Sequence, residues 1–168
     1  MNTELDNQSL SLIEEHVRRL LVIMGFTDIV VRCRHLIKNN PDTEDYSGTL
    51  HISLEAGGEG NLLIGTQGYH LSALQHLIRS VLRRQLARPL YVVVDVNGYR
   101  ARRERSLFNL AEAAARRAKT QGRTVVLQPM EAFERRTIHA ALSSRDDIKT
   151  ESMGNEPNRR VIIKPVFL

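Results

Sequence analysis

Cysteine and long apolar runs are scarce in this chain, and each absence excludes a class of protein. The single cysteine, Cys33, rules out an internal disulfide and a cysteine-based metal cluster. No apolar run approaches the roughly 20 residues that a membrane-spanning helix requires. The N-terminus holds Glu4 and Asp6 and lacks the basic start of a signal peptide. We therefore expect a soluble, cytoplasmic protein with no membrane insertion, and we expect Cys33 to be a core residue.

Motifs of catalysis and metal binding are also missing. The histidines, at positions 16, 35, 51, 70, 76 and 139, are scattered without the spacing of metal ligands. No serine, histidine and aspartate set has a recognisable nucleophile context. Asp146 and Asp147 are adjacent, and adjacent side chains on an extended segment point to opposite faces. The sequence favours a protein that is not an enzyme and binds no cofactor.

Positive charge is present but unevenly distributed. Residues 1–97 carry nine Lys or Arg and eleven Asp or Glu, net −2, whereas residues 98–168 carry fifteen and eight, net +7. Arginine outnumbers lysine by twenty to four. This ratio suits bidentate phosphate contacts, although codon bias in a GC-rich genome would produce it equally well. The C-terminal part is the one expected to meet an acidic partner.

Apolar spacing divides the chain into helices and strands of an α+β protein. In the first 97 residues the predicted elements are a helix over 8–24, strands over 29–36 and 48–54, a short helix and a glycine loop within the glycine-rich stretch 57–68, a long helix that leaves this loop, and a strand over 91–96. An acidic loop is expected over Asn39–Asp45, and Pro89 is expected to stop the long helix. In the remainder they are a helix over 99–119, a strand over 125–127, a helix that Pro129 opens and that runs through Leu142, and a strand over 160–164. The apolar stripe predicted for the 99–119 helix consists of Leu107, Leu110, Ala111, Ala114 and Ala118.

Two common phosphate-binding loops fail at the glycine-rich stretch. Gly60 and Gly65 have the spacing of a P-loop, but Thr66 stands where lysine is required. Gly58 and Gly60 fit the start of the dinucleotide fingerprint, but its third glycine is replaced by Leu63. A shorter pattern, Gly65-Thr66-Gln67-Gly68, remains. By itself a Gly-x-x-Gly is most often a plain turn between helices.

The context of this loop resembles a known RNA-binding domain. A helix, two strands, an apolar turn, Gly-x-x-Gly, a long amphipathic helix and a third strand are similar to the KH domain in its bacterial, type II order (αββααβ). The stretch 61–84 carries the closest resemblance. Such domains clamp roughly four nucleotides of a single strand at the loop. Family members often have a basic residue where this chain has Thr66 and Gln67, so a weaker electrostatic grip is expected here.

The C-terminal part resembles a second family. Arg135 and His139 are four residues apart, on one face of the predicted helix. Together with other residues of the C-terminal part, they resemble the R-3-H domain. This domain is named for an Arg-x-x-x-His spacing and is associated with single-stranded nucleic acids. The other residues that carry this resemblance are Asp95, Gly98, Tyr99, Arg100, Arg103, Leu127, Pro129, Met130, Glu134, Arg136, Ile138, Thr150, Ser152, Gly154, Pro157, Arg159, Arg160 and Val161. A KH domain over 1–97 followed by a small α/β R-3-H domain over 98–168 is the arrangement of the Jag family, also called SpoIIIJ-associated or KhpB proteins.

This resemblance implies binding of single-stranded RNA, in post-transcriptional regulation or as an RNA chaperone, linked to cell elongation or sporulation. We expect one strand to contact both domains, held by the loop, by an apolar groove at Ile64 and Leu71, and by the basic domain. The residues assigned to nucleic-acid binding are Ile64, Gly65, Thr66, Gln67, Gly68, Leu71, Arg100, Arg102, Arg103, Arg135, Arg136, His139, Arg159 and Arg160. Two alternatives stay open. The chain is a module that docks a second KH-domain protein, or it binds single-stranded DNA through the R-3-H domain alone.

Overall fold

The computed structural model describes residues 5–36, 48–86 and 91–166. The chain divides into two units, Met1–Tyr99 and Arg100–Leu168, each with its own hydrophobic core. The loop predicted over Asn39–Asp45 and the helix stop predicted at Pro89 lie outside the described residues.

Helices and strands of the first unit follow the predicted order. They are α1 (Asn7–Ile23), β1 (Val30–Leu36), β2 (Thr49–Glu55), α2 (Gly60–Ile64), α3 (Tyr69–Leu86) and β3 (Tyr91–Val96). Short 3-10 turns, Gly57–Glu59 and Thr66–Gly68, flank α2. Asp6 caps α1 by accepting a hydrogen bond from the Ser9 amide at 2.8 Å. Hydrogen bonding from the Ser9 hydroxyl, and secondarily from its amide, lowers the pKa of the Asp6 carboxyl.

The sheet of the first unit has β2 at its centre, antiparallel to β1 and parallel to β3. A parallel pair needs a crossover connection, and α2 and α3 supply it between β2 and β3. Cys33, Ile52 and Val94 lie side by side across the three strands, all buried. The prediction that Cys33 is a core residue is therefore confirmed, and burial raises the pKa of its thiol to about 12.

The second unit contains one strand that the sequence did not predict and one helix that begins later than predicted. Its described elements are α4 (Tyr99–Gln121, whose first residue belongs to the first unit), β4 (Val125–Pro129), α5 (Ala132–Leu142), β5 (Ile148–Met153) and β6 (Arg160–Pro165). The prediction that Pro129 opens a helix is wrong. Pro129 ends β4 opposite Arg160, next to an irregularity in the ladder, where a residue without an N–H is tolerated.

The sheet of the second unit is antiparallel, with β6 between β4 and β5. Its core joins α4, α5 and the three strands. On α4 the buried residues are mostly alanines, and small side chains let a helix approach its neighbours closely. Leu110, predicted in the apolar stripe, is 43% exposed, whereas Ala115 is buried. Two small sheets covered by helices confirm the mixed α+β class.

Candidate nucleic-acid interface

Gly65 and Gly68 give the glycine loop a fixed shape. Gly65 has φ 68°, and a Cβ at this position would collide with the His70 ring. That ring is hydrogen-bonded through Nδ1 to the Leu62 carbonyl oxygen at 2.7 Å. Gly68 has φ 84°, and a Cβ there would lie 3.0 Å from the Tyr99 ring. Both positions therefore need glycine for conformation and for space.

The loop turns at Thr66 and Gln67, the two residues between these glycines. The Gly65 amide donates to Asn61 O at 2.9 Å and the Gly68 amide donates to Gly65 O at 3.3 Å. Gln67 has φ 53°, an uncommon conformation for a residue other than glycine. Thr66 is exposed and Gln67 is half-buried, so the neutral tip of the loop faces solvent.

The two residues assigned to the apolar groove beside the loop are buried in the structure. Ile64 is 8% exposed and Leu71 is 2% exposed, and both pack in the core of the first unit. The apolar side chains exposed next to the loop are instead Leu62, at 66%, and Tyr69, at 40%. Ile64 and Leu71 therefore support the loop from beneath.

The Arg135 side chain forms its contacts inside the second unit. Its guanidinium donates to Met130 O at 2.7 Å and to the Glu156 carboxylate at 2.8 Å, and its side chain is only 7% exposed. Glu156 lies in the turn between β5 and β6, so Arg135 ties the start of α5 to that turn. Arg135 therefore stabilises the fold of the second unit.

His139 lies one turn further along α5 and contacts two hydroxyl groups of β5. Its Nδ1 is 2.7 Å from Thr150 Oγ1, and its Nε2 is 2.9 Å from Ser152 Oγ. Partial burial, and secondarily the positive charge of Arg135, lower the pKa of this histidine below its ordinary value of 6.5. The ring is therefore neutral near pH 7, with one nitrogen that donates and one that accepts.

Thr150 and Ser152 are thus part of a polar cluster, with His139, that sequence reasoning did not assign. The two hydroxyl residues are two apart on β5, which places both on the same face of the sheet. That spacing would have identified them if the strand had been predicted. All three side chains are half-buried, so the cluster is partly open to solvent.

Arg103 is likewise engaged inside the unit. Its Nε donates to Glu134 Oε1 at 2.6 Å, and the Glu134 side chain is fully buried. The other carboxylate oxygen of Glu134 has no hydrogen-bond partner within the described part of the chain. Arg103 is therefore the counter-charge that permits this carboxylate in the core.

The other predicted arginines lie nearer to solvent. Arg102, Arg136 and Arg159 are exposed, and among the described residues Arg136 and Arg159 form no ion pair. Arg160 is half-buried and donates to Asn158 O at 3.1 Å. Arg100 is half-buried, with its guanidinium 5.9 Å from the centre of the Phe133 ring. The predicted arginines thus divide into two that support the fold and several that face outward.

No helix among the described residues is long and apolar enough to cross a membrane. Across 5–36, 48–86 and 91–166, no group of three or more histidine, cysteine or acidic side chains is placed to hold a metal ion.

Comparison with protein families first shows which class of domain the second unit contains. The model of the R-3-H domain matches residues 105–165, so the chain contains an R-3-H domain in its second unit. A solved structure of Era from Aquifex aeolicus aligns with a TM-score of 0.44 at 22% identity, covering 57% of this chain and 33% of that one.

Curated relatives then show which proteins the chain resembles. Proteins named RNA-binding protein KhpB match from Clostridium symbiosum, at 40% identity over 68% of this chain and 51% of the relative, and from Lactiplantibacillus plantarum, at 41% over 61% and 32%. The protein of that name from Bacillus subtilis matches at 37% over 64% and 52%. The resemblance to the Jag family is confirmed. The chain spans between about a third and a half of the length of these relatives.

Proposed function

We propose that this chain binds single-stranded RNA in the bacterial cytoplasm and catalyses no reaction. The observation that carries the proposal is the net charge of +7 over residues 98–168, combined with outward-facing arginines such as Arg136 and Arg159 that no described carboxylate neutralises. The name of the relatives, RNA-binding protein KhpB, supports the same conclusion.

In the second unit, the exposed arginines attract the phosphate backbone and the His139 cluster orients it. Arginine is suited to the first task because its planar fork binds phosphate through two hydrogen bonds. His139 acts as a neutral group, because its pKa is lowered, and with Thr150 and Ser152 it offers hydrogen bonds of fixed direction. Arg103 and Arg135 act as positioning residues that hold α5 in place.

In the first unit, we propose a type II KH domain over residues 1–97 with its RNA contact at Gly65–Gly68. The order of elements and the fixed glycine loop support this assignment. The backbone amides of Thr66 and Gln67, at the tip of the loop, would face phosphate. Because Thr66 and Gln67 are neutral and the unit carries net charge −2, its contribution is the geometry of the strand more than charge.

The test is fluorescence anisotropy with a labelled single-stranded RNA at low salt. The double substitution Arg136→Ala and Arg159→Ala is expected to weaken affinity roughly tenfold for all RNA sequences, since phosphate contacts are independent of base. Arg117→Ala with Arg123→Ala removes the same charge from two other exposed arginines and is the matched control. Equal losses in the two double variants would mean that charge alone, without a defined interface, binds the RNA.

A protein-docking module is the second candidate, and the C-terminal end of α1 favours it, where Val22, Ile23 and Met24 are 47%, 83% and 43% exposed. Thr66→Asp with Gln67→Asp in the same assay separates the two candidates. Under our proposal this pair weakens RNA binding, whereas Gln8→Asp with Thr27→Asp, at exposed positions of the same unit, has a smaller effect. No difference between the two pairs would remove the loop from the RNA interface.

The finer assignments, a post-transcriptional regulator or an RNA chaperone linked to cell elongation or sporulation, follow from the family resemblance and form part of the proposal. Single-stranded DNA binding through the second unit is tested by competition between RNA and DNA of equal sequence. Only RNA offers the 2′-hydroxyl, so RNA is expected to compete better.

A further inference from the structure

A groove of about 430 Å³ runs between α4 and α5 of the second unit, and the residues of the His139 cluster do not line it. Its lining residues are Glu104 and Phe108 from α4 and Arg136, Thr137, Ala140 and Ala141 from α5. The alanines leave space opposite the Phe108 ring. This ring is 50% exposed, although phenylalanines are ordinarily buried.

Two rows of side chains, one on α4 and one on α5, line this groove, and Arg100 and Phe133 continue them beyond its lining. Arg100, Glu104 and Phe108 are spaced by four along α4, so they share one helix face. Phe133 and Thr137 are spaced by four along α5, and Phe133 is 41% exposed. The Arg100 guanidinium 5.9 Å from the Phe133 ring shows that the two rows meet at this end. Two exposed aromatic rings thus lie along one seam of a basic unit.

We propose that this groove binds an unpaired base of the nucleic acid, stacked on Phe108, while Arg136 at its rim contacts an adjoining phosphate. The inference rests on the proposed function and adds a base-reading subsite to it. Aromatic faces stack bases of single strands, and a guanidinium plane such as that of Arg100 over Phe133 does the same. Charge complementarity favours a nucleotide as the occupant of the groove. Arg136 is exposed and forms no ion pair with any described residue, so its positive charge complements a negatively charged phosphate.

Glu104 gives the groove a preference among bases. It is exposed, and in the described part of the chain no cation pairs with its carboxylate, not even Arg136 across the groove. A carboxylate accepts a hydrogen bond from an exocyclic amino group, such as N4 of cytosine. Uracil has a carbonyl oxygen at the same position, which the carboxylate repels. Cytosine is therefore expected to bind better than uracil.

The stacking test compares Phe108→Ala with Leu110→Ala, which removes an exposed apolar side chain of the same helix outside the groove. With labelled oligocytidine, Phe108→Ala is expected to weaken affinity about fivefold or more, the lower end of what loss of base stacking gives. Leu110→Ala is expected to stay within about twofold, and Phe108→Tyr, which keeps a ring, to retain affinity. Thermal unfolding establishes that the variants are folded. If folded Phe108→Ala binds like the wild type, the groove does not bind a base.

The preference test compares oligocytidine with oligouridine of equal length. The wild type is expected to favour oligocytidine about fivefold. Glu104→Ala abolishes the preference, whereas Asp146→Ala, which removes one exposed negative charge of the same unit outside the groove, retains it. Equal affinity of the wild type for the two oligomers, or an unchanged preference in Glu104→Ala, overturns the assignment of Glu104.

Failure of this inference is distinguishable from failure of the proposed function. If the wild type binds RNA and the Arg136 and Arg159 double variant weakens it while Phe108→Ala does not, only the base subsite is wrong. If the wild type binds neither oligomer at low salt, the proposed function itself is wrong.

Discussion

Arginine residues that look alike in the sequence have two different roles in the second unit. Arg103 and Arg135 neutralise carboxylates of the fold, Glu134 and Glu156, whereas Arg136 and Arg159 face solvent. The partners of the first two lie 31 and 21 residues away in the chain. A one-dimensional pattern does not identify such pairs, so sequence reasoning assigned all four to nucleic acid.

His139 is expected to make stability depend on pH. Its pKa in the folded chain is lowered from 6.5, so the unfolded chain takes up a proton first as the pH falls. Its contribution to the free energy of unfolding is complete above about pH 6.5 and is lost as the pH falls from there towards the folded pKa. Urea unfolding of the wild type and of His139→Gln, from about pH 8 to about pH 5, measures this contribution. A difference between the two proteins that does not change with pH would contradict it.

Between elements, the Arg103–Glu134 ion pair connects α4 to α5. Arg103→Ala leaves a fully buried carboxylate without its cation and is expected to lower the free energy of unfolding by roughly 3 kcal/mol. Arg105→Ala, an exposed arginine one half-turn away with no described ion pair, is the control and is expected to change it by less than about 0.5 kcal/mol. Urea denaturation measures both. Equal stability of the two variants would show that Arg103 is not needed for the fold.

Most helices and strands were predictable, and the exceptions have physical causes. In β1, β2 and β3, buried positions alternate with more exposed ones because one face of the sheet is buried, and the predicted bounds differ from the observed ones by at most one residue. In β5 the inward positions include Thr150 and Ser152, which contact His139, so the apolar alternation that marks a strand is missing. The polar residues that form the cluster with His139 are therefore the reason why β5 was not predicted.

The candidate site was predicted at the level of its domain and only partly at the level of residues. The spacing of Arg135 and His139 predicted the helix that carries the His139 cluster, and the glycines predicted the position of the loop. Burial reverses the expected exposure of Ile64, Leu71 and Arg135, because each depends on packing partners distant in sequence. The rings of Phe108 and Phe133 were overlooked because aromatic residues are few in total, whereas their exposure on one seam is a tertiary property.

At the scale of the whole molecule, charge is divided unequally between the two units. The first unit carries net −2 over residues 1–97 and the second +7 over residues 98–168, so affinity for a polyanion is expected to originate in the second. Counterions are released when arginines replace them on phosphate, and this release makes affinity fall with salt. In our proposal, the loop and the groove determine which strand geometry and which base are accepted.

The most direct test of whether arginines of the second unit contact RNA phosphates is the dependence of affinity on salt. It is measured as the slope of log affinity against log salt concentration, by anisotropy with single-stranded RNA. If Arg102, Arg136 and Arg159 each contact a phosphate, the slope is about −2 or steeper, since each contact on a single strand contributes about −0.7. The double substitution Arg136→Ala and Arg159→Ala should make the slope shallower by about 1.4. Binding that is insensitive to salt, or a slope that the double substitution leaves unchanged, would contradict the account.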